Sequence, residues 1–142
     1  IARRGKNMIE MEAERSKKAS RLETELALAA EIQLSALPTD FPAFPSHPEL
    51  DLHAEMHPAK EVGGDFYDFF EIDADHTAIV VADVSGKGVP AAMFMMTGKT
   101  MIRDFLKSLP SPAAAMSAVN AQLCENNEAE LFITAWVGVL EV

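Results

Sequence analysis

The chain has 142 residues, 49% of them hydrophobic, which is enough apolar material for one buried core with an appendage and excludes disorder for most of its length. Its net charge of −10 is unevenly spread, since the first 21 residues hold seven Lys and Arg against three Glu. The remainder is strongly acidic, which argues against nucleic acid binding, because phosphates would be repelled, and is compatible with divalent cations.

Cys124 is the only cysteine, which excludes an intramolecular disulfide framework and a cysteine-based zinc site. We therefore expect a reducing, cytoplasmic location. No apolar run approaches the roughly 18 residues of a membrane span, so any membrane association is expected through a receptor segment upstream. The sequence begins at Ile1 rather than at Met, and we expect it to be part of a longer protein.

Residues 6 to 37 predict one long helix, because Glu, Ala, Lys, Leu and Met dominate and no Pro occurs before Pro38. Apolar residues at heptad spacing are convincing only in its second half. The helix could therefore lie on its own domain, form a parallel dimer seam or act as a signalling linker. We assign residues 1–37 to a regulatory helix with the apolar residues Leu22, Leu26, Leu28, Ile32 and Leu37.

Residues 38–49 contain four prolines, which forbid a continued helix and a central strand, so this segment is predicted to be an extended connector. The folded domain is assigned to residues 50–142. Its first part predicts three strands, within residues 50–59, 64–73 and 76–85. The second and third are joined by the turn-like sequence DADH and therefore predict a β-hairpin.

The second part of the domain predicts two helices and a last strand. Apolar residues at helical spacing favour a helix over residues 89–107. A second helix is predicted over residues 111–126, with Ser111 as its N-cap and Pro112 at its first position. The sequence ELFITAWVGVLEV is β-rich. Strands first and helices together indicate an α+β fold, in which two helices cover one face of a sheet.

Two aspartates lie where the predicted hairpin brings strand ends together. Asp65 lies near the start of one strand and Asp83 near the end of the next, so antiparallel pairing places their carboxylates side by side. Like charges so placed repel each other unless protons or cations intervene. Oxygen-only ligands suit Mg²⁺ and Mn²⁺, and no Cys or His cluster that would favour zinc lies nearby.

Glycines flank both aspartates and would let the backbone approach an ion or a phosphate closely. They are Gly63 and Gly64 before Asp65, and Gly86 and Gly88 after Asp83. Taken singly, each of these motifs is also typical of an ordinary turn or bulge. The remaining hypotheses are weaker: SGKG lacks the spacing of a phosphate-binding P-loop, and the four histidines have no paired spacing.

Four sequence blocks carry a family resemblance: LAAEIQLSALP, AKEVGGDFYDFF, VVADVSGKGVPAAMFM and FITAWVGVLE. In this order and at these separations they resemble the bacterial SpoIIE/RsbU-type branch of the metal-dependent PPM (type 2C) serine/threonine phosphatases. The resemblance runs from about Glu25 to Val142. It implies a β-sandwich flanked by helices, two Mn²⁺ or Mg²⁺ ions, and hydrolysis of phosphoserine or phosphothreonine by a metal-activated water.

The resemblance also implies roles for individual residues. Asp65 would be the metal-binding acid of the first block, and Asp83 the bridging acid of the second, with the backbone carbonyl of Val84 as a further ligand. The later Asp-Gly block and the last Asp of such domains are absent from the sequence. We therefore expect an incomplete PPM domain whose metal site is weak or empty, and which is inactive by itself.

The same resemblance implies a substrate and a regulatory role for the helix. The substrate would be a phosphorylated small regulatory protein, such as an anti-sigma-factor antagonist. The apolar face of the helix and unpaired sheet edges lead us to expect a homodimer as well. Rotation of the helix would move the segment after Asp83 and so open or close the metal site. Two other hypotheses stay open: a non-catalytic dimerisation or interaction module with the same fold, and an unrelated α+β domain whose Asp-Gly turns are structural.

Overall fold

The computed structural model describes residues 2–58, 62–109 and 111–142, and shows an α+β fold of three helices and one three-stranded sheet. The predicted fold class is thereby confirmed. In these ranges no helix has both the length and the apolar character to cross a membrane. The elements in chain order are α1 (Ala2–Ser35), β1 (Phe66–Glu71), β2 (His76–Val84), α2 (Gly88–Ser108), α3 (Pro112–Cys124) and β3 (Ile133–Glu141).

The long amino-terminal helix is confirmed as α1, which ends at Ser35, two residues earlier than predicted. Leu37 therefore lies beyond the helix end, in a turn whose N–H donates to the carbonyl of Leu34. Its side chain is buried in the core rather than exposed on a helix face. On the helix itself Leu26 is half-buried, whereas Leu22, Leu28 and Ile32 are 56 to 58% exposed.

The sheet is antiparallel, with β2 in the centre between β1 and β3. The hairpin predicted from DADH is confirmed, because β1 and β2 pair directly and the Asp73 carboxylate accepts a hydrogen bond from the N–H of Asp75 in the turn. Alternate residues of β2 point to opposite faces, as the twofold period of a strand requires. Ala78, Val80, Ala82 and Val84 are all buried on the face that α2 covers.

The helices α2 and α3 form the second layer of the domain. Ser111 is the N-cap of α3 and accepts a hydrogen bond from the N–H of Ala114, with Pro112 at the first helical position, as predicted. Small residues let helices and sheet approach closely. At Gly98 of α2, a Cβ atom would lie 2.2 Å from the Cδ1 atom of Ile133, so a larger residue would require that side chain at the start of β3 to move.

A buried ion cluster joins α2 to β1. Asp68 of β1 is 2% exposed and accepts hydrogen bonds from Lys99 Nζ at 3.1 Å and from Arg103 Nε at 2.8 Å. Arg103 also donates through Nη2 and lies over the ring of Phe70, 4.6 Å from its centroid. Two cations therefore neutralise one carboxylate at the interface between helix and sheet, where an isolated charge would be costly.

The predicted strand over residues 50–59 is wrong for residues 50–58, which form no strand in the structure, while Ala59 lies outside the described residues. The alternation that suggested it is real, because Leu52, Ala54 and Met56 are half-buried and the residues between them are exposed. An alternating pattern indicates that one side of a segment is buried. A β-strand also requires hydrogen bonds to a neighbouring strand, which the pattern does not predict.

Candidate metal centre

The two aspartates occupy facing positions at the open end of the hairpin. Phe66 pairs with Ala82, and the N–H of Val84 donates to the carbonyl of Gly64 at 3.3 Å, so the rung between these two pairs joins Asp65 to Asp83. Both residues lie on the sheet face opposite α2, and both are exposed to solvent. Their side chains are close enough to hydrogen-bond each other.

This proximity has an electrostatic consequence for Asp65. The pKa of its carboxyl group lies above the ordinary 3.8, first because of the hydrogen bond to Asp83, then because of partial desolvation and the negative charge of Asp83. Two adjacent negative charges are unfavourable, and a cation placed between the two carboxylates would neutralise them.

The four glycines near the aspartates differ in whether their position requires glycine. A Cβ atom at Gly64 would lie 2.8 Å from the Cβ atom and 3.0 Å from the carbonyl oxygen of Val84, so this position needs glycine for close approach. Gly86 and Gly88 have φ angles of 86° and 70°, which favour glycine in the turn after Asp83. A Cβ atom at Gly63 would meet nothing within 4 Å.

A glutamine of α1 holds the segment before Asp65, a contact that the sequence analysis missed. Gln33 Nε2 donates to the carbonyl oxygen of Gly63 at 2.6 Å, and the N–H of Gly63 donates to Gln33 Oε1 at 3.1 Å. Gln33 is 9% exposed, although it lies on a largely exposed helix. A polar residue inside the apolar stripe of α1 was the available signal, but its partner lies 30 residues away.

A cavity of about 270 Å³ connects this contact to the aspartates. The end of α1 contributes to its lining, as does Lys87, an exposed residue in the turn before α2. The cavity brings together residues from three separate parts of the chain. Its lining includes Gln33, Leu37, Gly63, Gly64, Asp65, Asp83, Val84, Gly86, Lys87, Gly88 and Met95.

The oxygen atoms at this site are of the type that binds a hard divalent cation, but they are too few to complete its coordination. Two carboxylates and the Val84 carbonyl are oxygen ligands of the kind that Mg²⁺ and Mn²⁺ prefer. Within the described ranges, no group of three or more His, Cys, Asp and Glu side chains is arranged to hold a metal ion. The histidines contact acids elsewhere: His57 lies 3.0 Å from Glu55, and His47 lies between Glu49 and Glu71.

The chain is similar to several known proteins. The family model "Stage II sporulation protein E (SpoIIE)" matches residues 73–142. The chain is 35% identical over 117 residues to "Phosphoserine phosphatase RsbU" of Bacillus subtilis, a match that covers 80% of this chain and 32% of RsbU. The chain thus spans about a third of the length of this relative.

Two solved structures share the fold. The "SiaA-PP2C domain of Pseudomonas aeruginosa" has a TM-score of 0.65 and 26% identity, over 84% of this chain and 49% of that one. The RsbU and RsbW domains of a Mycobacterium tuberculosis protein give a TM-score of 0.52 and 28% identity, over 60% of this chain and 23% of that one. With the matched sequence blocks, these likenesses show that the chain belongs to the SpoIIE/RsbU-type branch of the PPM phosphatases.

Proposed function

We propose that this chain contributes half of the metal site of a bacterial protein-serine/threonine phosphatase. The facing position of Asp65 and Asp83 is the observation that carries this proposal, because it concentrates negative charge at one exposed point of the sheet. The relationship to RsbU, which is named a phosphoserine phosphatase, supports the reaction class. Because the chain spans about a third of RsbU, hydrolysis is proposed for the complete protein.

Asp65, Asp83 and the backbone carbonyl of Val84 are the groups that would hold Mn²⁺ or Mg²⁺. PPM phosphatases in general use metal ions. When bound, such ions lower the pKa of a water molecule and neutralise the phosphoryl oxygens that carry charge in the transition state. The chain's own contribution is to place the oxygens: the hairpin register fixes the carboxylates, and glycine at position 64 lets the two strands meet closely.

A phosphorylated small regulatory protein is the proposed substrate. This rests on the family, and on the Mycobacterium tuberculosis relative in which an RsbU domain and an RsbW domain are named together. Such a protein would present phosphoserine or phosphothreonine at the exposed aspartates. The chain beyond residue 21 is acidic and would repel a phosphate group. We therefore propose that the substrate is recognised through further contacts besides its phosphate.

The helix α1 is proposed to regulate the site. The contact between Gln33 and Gly63 directly connects α1 to the segment that carries Asp65. Gly63 is two residues before Asp65, so a rotation or shift of α1 that breaks both hydrogen bonds would release the strand that carries a metal ligand. The exposed apolar residues Leu22, Leu28 and Ile32 are available for pairing with a second copy of α1, which would bias that rotation.

Replacing Gln33 tests the regulatory route. Gln33→Leu removes both hydrogen bonds, and we expect faster amide hydrogen exchange at Gly63 together with a lower Mn²⁺ affinity. Gln122→Leu, at an exposed position of α3, is the matched control and should change neither. Equal exchange at Gly63 in the wild type and Gln33→Leu would contradict the route, whatever the affinity.

A non-catalytic dimerisation or interaction module is the second candidate function. It is favoured by the exposed apolar residues of α1 and by the shortage of metal-binding side chains among the described residues. Hydrolysis of a phosphoserine peptide in the presence of Mn²⁺ separates the two. For the complete protein, the phosphatase proposal predicts turnover that Asp83→Asn abolishes and that Asp51→Asn, at another exposed acid, leaves unchanged. Turnover that is insensitive to Asp83→Asn would favour the interaction module.

A further inference from the structure

The turn after Asp83 is anchored to the start of β3, far away in the sequence. The N–H of Ser85 donates to the carbonyl oxygen of Phe132 at 2.8 Å, and the N–H of Phe132 donates to Ser85 Oγ at 2.9 Å. These two hydrogen bonds close a ring between residues 47 positions apart. We propose that Ser85 is a positioning residue of the metal site, an inference that rests on the proposed function.

The register of the sheet explains why a hydroxyl group is needed at this position. Val84 pairs with Ile133, so Ser85 and Phe132 form the next rung of the ladder. In a regular antiparallel rung the N–H of Phe132 would donate to the carbonyl oxygen of Ser85. Here the side-chain oxygen accepts that hydrogen bond instead. The backbone can therefore leave the sheet directly after Ser85, into the positive φ of Gly86, without losing its hold on β3.

The two residues before Ser85, Asp83 and Val84, form hydrogen bonds with the chain segments on either side of β2. Thr134 Oγ1 donates to the carbonyl oxygen of Asp83 at 3.3 Å, and Val84 donates through its N–H to Gly64. Asp83, Val84 and Ser85 are thus held in succession by β3, by the strand of Asp65 and again by β3. This succession covers the carboxylate and the carbonyl that the proposed function assigns to the metal.

The loop before β3, which carries Phe132, is held by hydrogen bonds of its own. Asn127 donates through Nδ2 to the carbonyl oxygen of Leu131 at 2.6 Å and accepts the N–H of Leu131 at 3.1 Å, which closes the loop before β3. Leu131 then packs against the turn, because its Cδ2 atom lies 3.4 Å from the position of a Cβ atom at Gly86. The side chain of Phe132 is 62% exposed, so the anchor uses its backbone.

Ser85→Ala in the complete protein is the direct test, with two readouts on the same variant. Without metal, we expect amide exchange at Ser85 and Phe132 to become at least about tenfold faster, while Val80 in the centre of β2 keeps its rate. Mn²⁺ affinity measured by calorimetry should fall about tenfold, the usual effect of losing a group that orients a metal ligand. Ser85→Thr, which keeps the hydroxyl, should restore both values.

Two further variants keep the test decisive. Ser117→Ala, at an exposed position of α3, should change neither readout. Thr134→Val removes the hydroxyl that donates to the carbonyl oxygen of Asp83, with little change of shape, and should also lower Mn²⁺ affinity. This variant provides the test if Ser85→Ala fails to fold. Unchanged exchange in a folded Ser85→Ala overturns the positioning role, as does faster exchange with unchanged affinity. If the wild type binds no Mn²⁺, the proposed function fails, whereas the exchange rates still decide whether Ser85 holds the turn.

Discussion

Asp65 and Asp83 face each other across the last rung of the β1–β2 hairpin, with the rung beyond them closed by the hydrogen bond from Val84 to Gly64. The register fixes the separation of the two backbones, and so holds the attachment points of the two carboxylates side by side. The raised pKa of Asp65 is the electrostatic sign of this constraint. The fold holds two like charges together, which is useful where a cation binds.

Close approach at Gly64 predicts a strong effect of one added methyl group. Gly64→Ala would place its Cβ atom 2.8 Å from the Cβ atom of Val84, and the two strands must separate to relieve this contact. We expect a loss of about 1–3 kcal/mol in the free energy of unfolding, measured in urea. Gly63→Ala is the matched control, since nothing lies within 4 Å of its added atom. Equal losses in the two variants would contradict the geometry.

The buried ion cluster predicts an asymmetry between its members. Asp68→Asn leaves Lys99 and Arg103 without a negative partner at a site that is 2% exposed, and should destabilise the chain by about 3–5 kcal/mol. Lys99→Met should cost less, because Arg103 still pairs with Asp68 and the new side chain is apolar. Urea unfolding of the two variants tests the order, and a larger loss for Lys99→Met would contradict it.

The connector is held to the sheet by aromatic packing. Phe44 is 2% exposed and meets Phe69 of β1 edge to face, with 5.8 Å between ring centroids. Phe44→Ala should therefore cost about 3–5 kcal/mol of unfolding free energy. Phe41→Ala, at a ring that is 38% exposed, is the control and should cost clearly less. Similar melting temperatures for the two variants would show that the connector is not part of the core.

The hairpin turn predicts a pH dependence of stability. The pKa of His76 is raised above 6.5, first by its hydrogen bond to Asp73, and the pKa of Asp73 is lowered below 3.8, first by the same bond. The His76 contribution is present below pH 6.5 and is lost as the pH rises through the raised value. The Asp73 contribution is present above pH 3.8 and is lost as the pH falls through the lowered value.

Thermal unfolding at a series of pH values tests this window. We expect the melting temperature of the wild type to fall as the pH rises from 6.5 through the raised pKa of His76, and this fall to be smaller in His76→Gln. His57→Gln, which removes an exposed histidine paired with Glu55, is the control. Identical pH profiles for the wild type and His76→Gln would contradict the assignment.

Local signals in the sequence predicted most of the elements. The hairpin follows from DADH between two apolar runs, and α3 from Ser111 and Pro112, because turns and caps are decided by neighbouring residues. The hairpin register in turn placed Asp65 beside Asp83. The metal-binding role of these residues remains a prediction.

Contacts between distant segments could not be predicted in this way. Gln33 lies 30 residues from Gly63 and Ser85 lies 47 residues from Phe132, and no spacing rule links such pairs. The false strand over residues 50–58 has the same cause. Its alternation was correct, but whether a partner strand lies beside it depends on how the rest of the chain packs.

A calorimetric titration of the complete protein with Mn²⁺, as wild type, Asp65→Ala and Asp83→Ala, tests the central claim most directly, with Asp51→Ala as the exposed control. The account predicts that the wild type and the control bind Mn²⁺ with equal affinity, and that each of the other two alanine variants binds at least tenfold more weakly. Equal affinity in all four proteins, or no binding by the wild type, would contradict it.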